Sequence, residues 1–290
     1  MELLDGKLVA AAVKEELKKK VDNLKSKGSG VPHLAAVLVG EDGGSMTYVA
    51  AKVKSCEEIG FVSTLLKFQS TILEQELLDT IEKLNNDPAI HGILVQLPLP
   101  KHISEQKVIN LIDPKKDVDG FHPVNVGKMV QGLDTFLPAT PYGIMLLLEH
   151  YSIKTSGLNA VVIGRSNIVG RPVSILLSQQ NEPGNCTVTI CHSKTKDLKS
   201  ICLNADIIIA ALGKPGFLKA TMVKEGAIVI DVGITRIPDG SKKSGYRLSG
   251  DVDFENVAQR CSYITPVPGG IGPMTIAGLL MNTFKAFERH

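Results

Sequence analysis

The chain has 290 residues, 43% hydrophobic and 21% charged, and a formal net charge of +2. That length suffices for two packed domains. The near-neutral charge, 4% aromatic content and absence of tryptophan argue against a nucleic-acid surface or a membrane-binding face. Five cysteines, Cys56, Cys186, Cys191, Cys202 and Cys261, form no C-x-x-C pair, so neither a disulfide frame nor a zinc site is expected. Met1–Lys7 has no apolar core of signal-peptide type, and no run reaches membrane-spanning length, so a cytoplasmic protein is expected.

Leu8 to Lys25 reads as an amphipathic helix, with Leu8, Ala12, Leu17, Val21 and Leu24 on one stripe. Leu34–Val39 is a buried-type strand ending at Gly40. A helix from about Met46 to Glu58 follows, closed by Gly60. Strand Phe61–Phe68, helix Leu73–Asn85 and strand Ile90–Val95 complete a βαβαβ series, which predicts a parallel sheet. The stretch Asp113–Pro141 reads as loop-rich, and Pro141 opens a helix through Tyr151. A second series has strands Leu158–Ile163, Cys186–Ile190, Ile207–Ala210 and Ala227–Val232, and a last helix, Gly272–Phe287, follows a proline–glycine loop. The fold class is α/β with two domains, and ligands are expected at the carboxyl ends of strands, in a cleft between the domains.

Gly164-Arg165-Ser166-Asn167-Ile168-Val169-Gly170 follows a strand and opens a helix. Glycine lets backbone approach a pyrophosphate, and a helix start offers free N–H donors and the positive end of a dipole. Ser166 takes the place of the second glycine in G-x-G-x-x-G, and a ligand-free βα turn would look similar. The next strand ends in His192-Ser193-Lys194, with no carboxylate to take a ribose 2′-hydroxyl. A hydroxyl and cations there, with Arg165 in the turn, favour NADP over NAD.

Four clusters carry further chemistry. Tyr48 and Lys52 lie four apart on one helix face; the lysine is either solvated or buried with a lowered pKa, able to move protons. Gln96 is the polar residue ending a buried strand in Val95-Gln96-Leu97-Pro98. Lys116-Asp117-Val118-Asp119-Gly120-Phe121-His122 is either a self-bonded turn or a carboxylate reader of heterocyclic N–H groups. His122 has no partner at metal-ligand spacing, and no metal is expected. Pro268-Gly269-Gly270-Ile271-Gly272 precedes the last helix and serves as a hinge or a close-approach loop.

In order and spacing these pieces resemble the bifunctional methylenetetrahydrofolate dehydrogenase/methenyltetrahydrofolate cyclohydrolase family over essentially the whole chain. The matching runs are Tyr48-x-x-x-Lys52, Gly92 to Pro100, Pro114 to Gly120, Gly164 to Pro172, Cys191 to Thr195 and Pro266 to Thr275. Ala139, where a cysteine is frequent, and Gly43-Gly44 and Met46 before Tyr48 depart from the common pattern. The resemblance implies a catalytic, folate-binding domain (1–140, completed by helix 272–290) and a Rossmann-type NADP-binding domain (141–271), in a homodimer. It implies Lys52 as the proton-handling residue, with Tyr48, Gln96 and Asp119 as its catalytic companions. Tetrahydrofolate derivatives would be bound by Tyr48, Lys52, Val95, Gln96, Leu97, Asp119, Pro268, Gly269, Gly270, Ile271 and Gly272. NADP would be held by Gly164, Arg165, Ser166, Ser193 and Ile234. A shikimate- or amino-acid-type dehydrogenase is the alternative, against which Gln96 and Asp119 weigh.

Overall fold

The structure is a computed structural model and describes residues 1–242 and 245–289. Its elements in chain order are β1 (Glu2–Leu3), α1 (Gly6–Ser26), β2 (His33–Val39), α2 (Gly43–Ile59), β3 (Val62–Phe68), α3 (Glu74–Asn86) and β4 (Gly92–Val95). Next come α4 (Glu105–Leu111), α5 (Pro123–Val130), α6 (Ala139–His150), β5 (Asn159–Ile163), α7 (Gly170–Ser178), β6 (Thr187–Cys191), α8 (Leu198–Leu203) and β7 (Ile207–Ala210). The chain closes with β8 (Ala227–Asp231), β9 (Thr235–Pro238), β10 (Tyr246–Ser249), α9 (Phe254–Val257), β11 (Cys261–Ile264) and α10 (Ile271–Glu288).

The chain divides into two compact units: Ala11–Ala139 with Ile276 onward, and Met1–Ala10 with Thr140–Thr275. In the first, a three-stranded parallel sheet has the order β3-β2-β4. Side chains alternate along a strand, and β2 uses both faces. Leu34, Ala36 and Leu38 pack into a core with Leu17, Val21, Cys56, Ile59, Leu280 and Phe284 from helices, while Ala35, Val37 and Val39 join Leu77, Ile81 and Val108 on the other side. A strand buried on both faces carries an apolar run rather than an alternating one, as β2 does. The chain moves from β2 to β3 on one side and then to β4 on the other. The switch point, where an open α/β sheet presents its ligand crevice, therefore lies at the carboxyl end of β2.

The second unit holds a six-stranded sheet, order β1-β11-β8-β7-β5-β6, with every pairing parallel, and a separate antiparallel pair, β9 and β10. Here the order reverses at β5, which has β6 on one side and β7 on the other. The expected strands and parallel pairing are present.

Residues 1–10 pack with the second unit, where β1 pairs with β11. Several expected elements need correction. The loop-rich middle contains α5, started by Pro123 and capped by His122 Nδ1, which accepts from Val124 N at 3.1 Å. The helix assigned to start at Pro141 begins at Ala139. Pro141 sits in its first turn, where a missing N–H breaks no helical bond. The last helix spans Ile271–Glu288, and residue 290 of the expected 272–290 segment lies outside the described residues.

Candidate active site and cofactor cradle

In the first unit α2 is set by its ends. Asp42 caps it, accepting from Ser45 N at 2.8 Å, and Gly60 closes it in the left-handed region at φ 84°. Its buried stripe is Val49, Lys52, Ser55, Cys56 and Ile59, so a lysine occupies a core position, 4% exposed. A buried ammonium needs partners. Lys52 Nζ donates to Gln96 Oε1 at 3.1 Å and lies 4.7 Å from the centre of the Tyr48 ring, within cation–π range. Gln96 is held in turn, since its Nε2 donates to Leu97 O at 2.7 Å and its backbone N to Val37 O at 2.9 Å. The amide oxygen is thereby aimed at the amine. Burial lowers the Lys52 pKa, with the nearby Asp119 carboxylate opposing it. For Asp119 burial raises the pKa, with Lys52 opposing.

The D-V-D motif splits into two kinds of acid. The Asp117 carboxylate accepts from Phe121 N (3.2 Å), His122 N (2.8 Å) and Asn125 Nδ2 (2.7 Å), and Asn125 Oδ1 accepts from Thr135. It is a brace for the turn into α5. Burial pushes its pKa up to about 7 against those hydrogen bonds. Asp119 is only partly exposed, and its carboxylate makes no hydrogen bond among the described residues. Its position is fixed through main chain. Asp119 O accepts from Ala139 N, Asn282 Nδ2 on α10 donates to Val118 O (2.8 Å) and Leu137 O (2.7 Å), and Gly120 at φ 71° packs on Leu137. The buried Lys116 donates to Leu84 O and Asp87 O, anchoring the motif to the end of α3. The sequence reading missed Lys116, Asn125 and Asn282 as supports. Only Lys116 carried a signal, its place inside the motif.

Tyr48, Lys52, Gln96 and Asp119 thus gather in the first unit. Val95 is buried in the core, so only its backbone is available to a ligand, and Leu97 packs against the same cluster.

In the second unit Gly164 has φ 137°, and a Cβ there would lie 2.1 Å from Ala211 O; one on Gly170 would lie 2.3 Å from Gly164 O. Both positions demand glycine, and the turn is pressed onto the start of α7. Gly164 N donates to Cys191 O at 2.9 Å, fastening the turn to the end of β6, so exposed Arg165 and Ser193 stand at the same sheet edge. The helix start is less open than its sequence suggests. Ser166 Oγ accepts from Val169 N and Gly170 N, both at 3.2 Å, Ser166 O accepts from Arg171 N, and Pro172 has no N–H. The groups left open to an anion here are Arg165, Ser193 and the turn backbone. A tight glycine turn at the switch point, with a guanidinium and a hydroxyl and no acid at the end of β6, fits a dinucleotide bearing a 2′-phosphate.

Ile234, 51% exposed, follows β8. Its turn hangs on two buried acids that the sequence reading did not single out. Asp231 accepts from Gly233 N (3.0 Å), Asp251 N (2.8 Å) and Val252 N (2.9 Å). Asp251 accepts from Leu212 N (2.7 Å) and Gly213 N (2.8 Å). Burial raises the Asp231 carboxyl to about 6. A Cβ on Gly272 would meet Ile234 Cδ1 at 3.2 Å, so the 268–272 loop and Ile234 are neighbours. Within that loop Gly269, Gly270 and Ile271 are buried, and Pro268 and Gly272 are the residues with side-facing exposure.

Residues 4–119 match a family described as "Tetrahydrofolate dehydrogenase/cyclohydrolase, catalytic domain", and residues 138–290 match its NAD(P)-binding domain. The chain belongs to the tetrahydrofolate dehydrogenase/cyclohydrolase family. It is 60% identical over 284 residues to the bifunctional protein FolD of Porphyromonas gingivalis, covering 98% of this chain and 96% of that one. The solved methylenetetrahydrofolate dehydrogenase/cyclohydrolase of Campylobacter jejuni superposes with a TM-score of 0.93 at 52% identity, covering 100% of this chain and 99% of that one. The family enzyme of Trypanosoma brucei, solved with NADP and an inhibitor, gives 0.93 at 39% identity over 98% and 96% of the two chains.

Proposed function

We propose that this protein oxidises 5,10-methylenetetrahydrofolate to the methenyl form with NADP and hydrolyses that product to 10-formyltetrahydrofolate. The observation that carries the reading is a lysine in the core stripe of α2, its amine on Gln96 and beside Asp119. Family membership supports the pair of reactions.

NADP, when bound, accepts the hydride. The chain's part in that step is approach and orientation. Gly164 and Gly170 let the turn come close, Arg165 and Ser193 bind the 2′-phosphate, and Ser166 and Ile234 complete the cofactor contacts. Asp119, whose carboxylate takes no hydrogen bond among the described residues, accepts from the N–H groups of the pterin. Val95 and Leu97 supply backbone and apolar contact, and Pro268 to Gly272 the remaining folate contact. The methenyl product is a cation, and a permanently charged amine beside it would repel it. Burial of Lys52 favours the neutral amine. Gln96 Oε1 holds that amine in place, and Tyr48 covers it. In the hydrolytic step Lys52 takes a proton from the attacking water and returns one as the ring opens.

The domain assignment belongs to the same proposal: a catalytic, folate-binding part in the first unit and a cofactor-binding part in the second. So do a homodimeric state and a cytoplasmic location, both resting on the family resemblance. Among the described residues no helix is long and apolar enough to cross a membrane. The test is a spectrophotometric assay with methylenetetrahydrofolate and NADP, following appearance of the methenyl absorbance and then its decay. Growth of that band with enzyme-dependent decay is expected. Absence of NADP-dependent turnover would refute the reading.

A further inference from the structure

The N-terminal segment is built into the second unit. β1 extends the six-stranded sheet, and Leu4 N donates to the carbonyl of Ile264, the last residue of β11, at 2.9 Å. Asp5 then caps α1, its Oδ1 accepting from Lys7 N (2.9 Å) and Leu8 N (3.1 Å), while its own N donates to Tyr151 Oη at 2.9 Å. Three fixed points, on β11, α1 and Tyr151, thus hold Gly6. A Cβ on Gly6 would stand 1.8 Å from Gly270 O and 3.1 Å from Gly269 O, and Lys7 N also donates to Gly269 O at 3.1 Å. The loop also packs on Thr265 and Pro266, and Ile271 O accepts from Thr275 Oγ1 at 3.1 Å. Gly269 is at φ 114°, and Gly270 N donates to Pro266 O at 2.8 Å. Consecutive glycines leave such a loop with more conformational freedom than any other pair.

We propose that the N-terminal strap, with Gly6 at its point of contact, is a positioning element for the 268–272 loop, setting where Pro268 and Gly272 stand against tetrahydrofolate. This rests on the reading above that the loop contacts the folate. The contact is backbone against backbone, so no side chain can swing aside. A methyl on Gly6 must move from 1.8 Å to at least 3.0 Å from the Gly270 oxygen, a displacement of about 1 Å, and errors of that size in a positioning group cost up to about a hundredfold in rate.

The test compares three variants of the full-length enzyme by steady-state kinetics and thermal melting. Gly6→Ala is expected to raise the KM for methylenetetrahydrofolate about tenfold or more, with the KM for NADP within about threefold of wild type. Deletion of Glu2 and Leu3, which removes β1 and leaves Gly6 in place, is expected to raise the same constant by about threefold and decides the matter if Gly6→Ala does not fold. Gly272→Ala reports on the loop directly. A folded Gly6→Ala with a wild-type folate KM, beside a Gly272→Ala with a raised one, overturns the strap and leaves the loop's role standing. Unchanged folate KM in both overturns the loop reading and the strap with it. Equal rises for folate and NADP mark general disruption and also overturn the proposal, as does a wild-type folate KM in the deletion.

Discussion

Lys52→Met separates the amine's chemistry from its packing. Methionine is one atom shorter, fits the stripe between Val49 and Cys56, and removes the amine. In the folded protein Lys52 is 4% exposed, its amine bonded to one amide oxygen and its charged form opposed by burial. Removing the amine ends the cost of burying its charge but leaves Gln96 Oε1 without its donor and Asp119 without the opposing charge; an unsatisfied buried polar group costs about 1–3 kcal/mol, so the melting temperature should fall modestly. The loss of activity should be far larger. A positioned acid–base group contributes about 10²–10⁴ in rate, which is about 3–5 kcal/mol of barrier, and the cyclohydrolase rate should fall by that factor, further than the dehydrogenase rate. In the wild type the cyclohydrolase rate should climb as the amine loses its proton, with an inflection below the ordinary lysine value because burial is the dominant influence on Lys52. The assay is decay of the methenyl absorbance, with purified methenyl substrate, across pH. Full cyclohydrolase activity in a folded Lys52→Met would refute the assignment.

Two further outcomes are expected. Arg165→Ala should raise the KM for NADP at least about tenfold more than that for NAD, since a guanidinium–phosphate pair is a strong charged bond; equal effects in parallel titrations would show that Arg165 does not read the 2′-phosphate. Asp117→Asn should destabilise by about 1–3 kcal/mol, because an amide nitrogen, unlike the hydroxyl oxygen of a protonated carboxyl, cannot accept from the N–H groups it faces. Its carboxyl pKa stands at about 7 folded against 3.8 ordinarily, so between those values the native state binds a proton that the unfolded chain does not. Wild-type stability from this group is therefore present at low pH and is lost as pH rises through about 7. The gap between wild type and Asp117→Asn, measured by urea unfolding, should narrow from pH 5 to pH 7.5; a constant gap would contradict the placement of that proton.

Spacing alone left Lys52 open between a solvated and a buried place, and the family resemblance singled it out; the buried stripe of Val49, Ser55, Cys56 and Ile59 around it became plain only in the fold. The glycine turn was more readable, since strand, turn and helix follow one another along the chain. Contacts joining distant residues left no such trace. β1 is only Glu2 and Leu3, and its partner β11 lies near the other end of the chain. α5 was hidden by its shortness and by Gly127, a weak helix former, in a run beginning with proline. The β9–β10 pair alternates half-buried and exposed residues on β9, too weak a pattern over so few residues to mark a strand. The Ser166 cap was missed for a different reason: its hydroxyl bonds within the motif, and a motif read as ligand-binding hides what its own side chains satisfy.

Asp117, Asp119, Asp231 and Asp251, buried or half-buried, divide by what their oxygens accept. Asp117, Asp231 and Asp251 each take two or more backbone N–H groups and hold a turn in place. Asp119 takes none among the described residues, and the charge it feels most is that of Lys52. A carboxylate committed to main chain cannot rotate to meet a ligand without leaving donors unsatisfied, at about 1–3 kcal/mol each; Asp119 carries no such cost. Its state is tied to the amine. Burial drives the acid toward its protonated form and the amine toward its neutral one, while each charge favours the other. On the proposed reading, a pterin donating N–H groups to Asp119 would favour the carboxylate, and the charge on that carboxylate would favour the ammonium. A cation at the one-carbon bridge would act in the opposite sense and favour the neutral amine. Binding the substrate and oxidising it would then push Lys52 in opposite directions, and the charge created by the first reaction would release the proton that the second one needs to move.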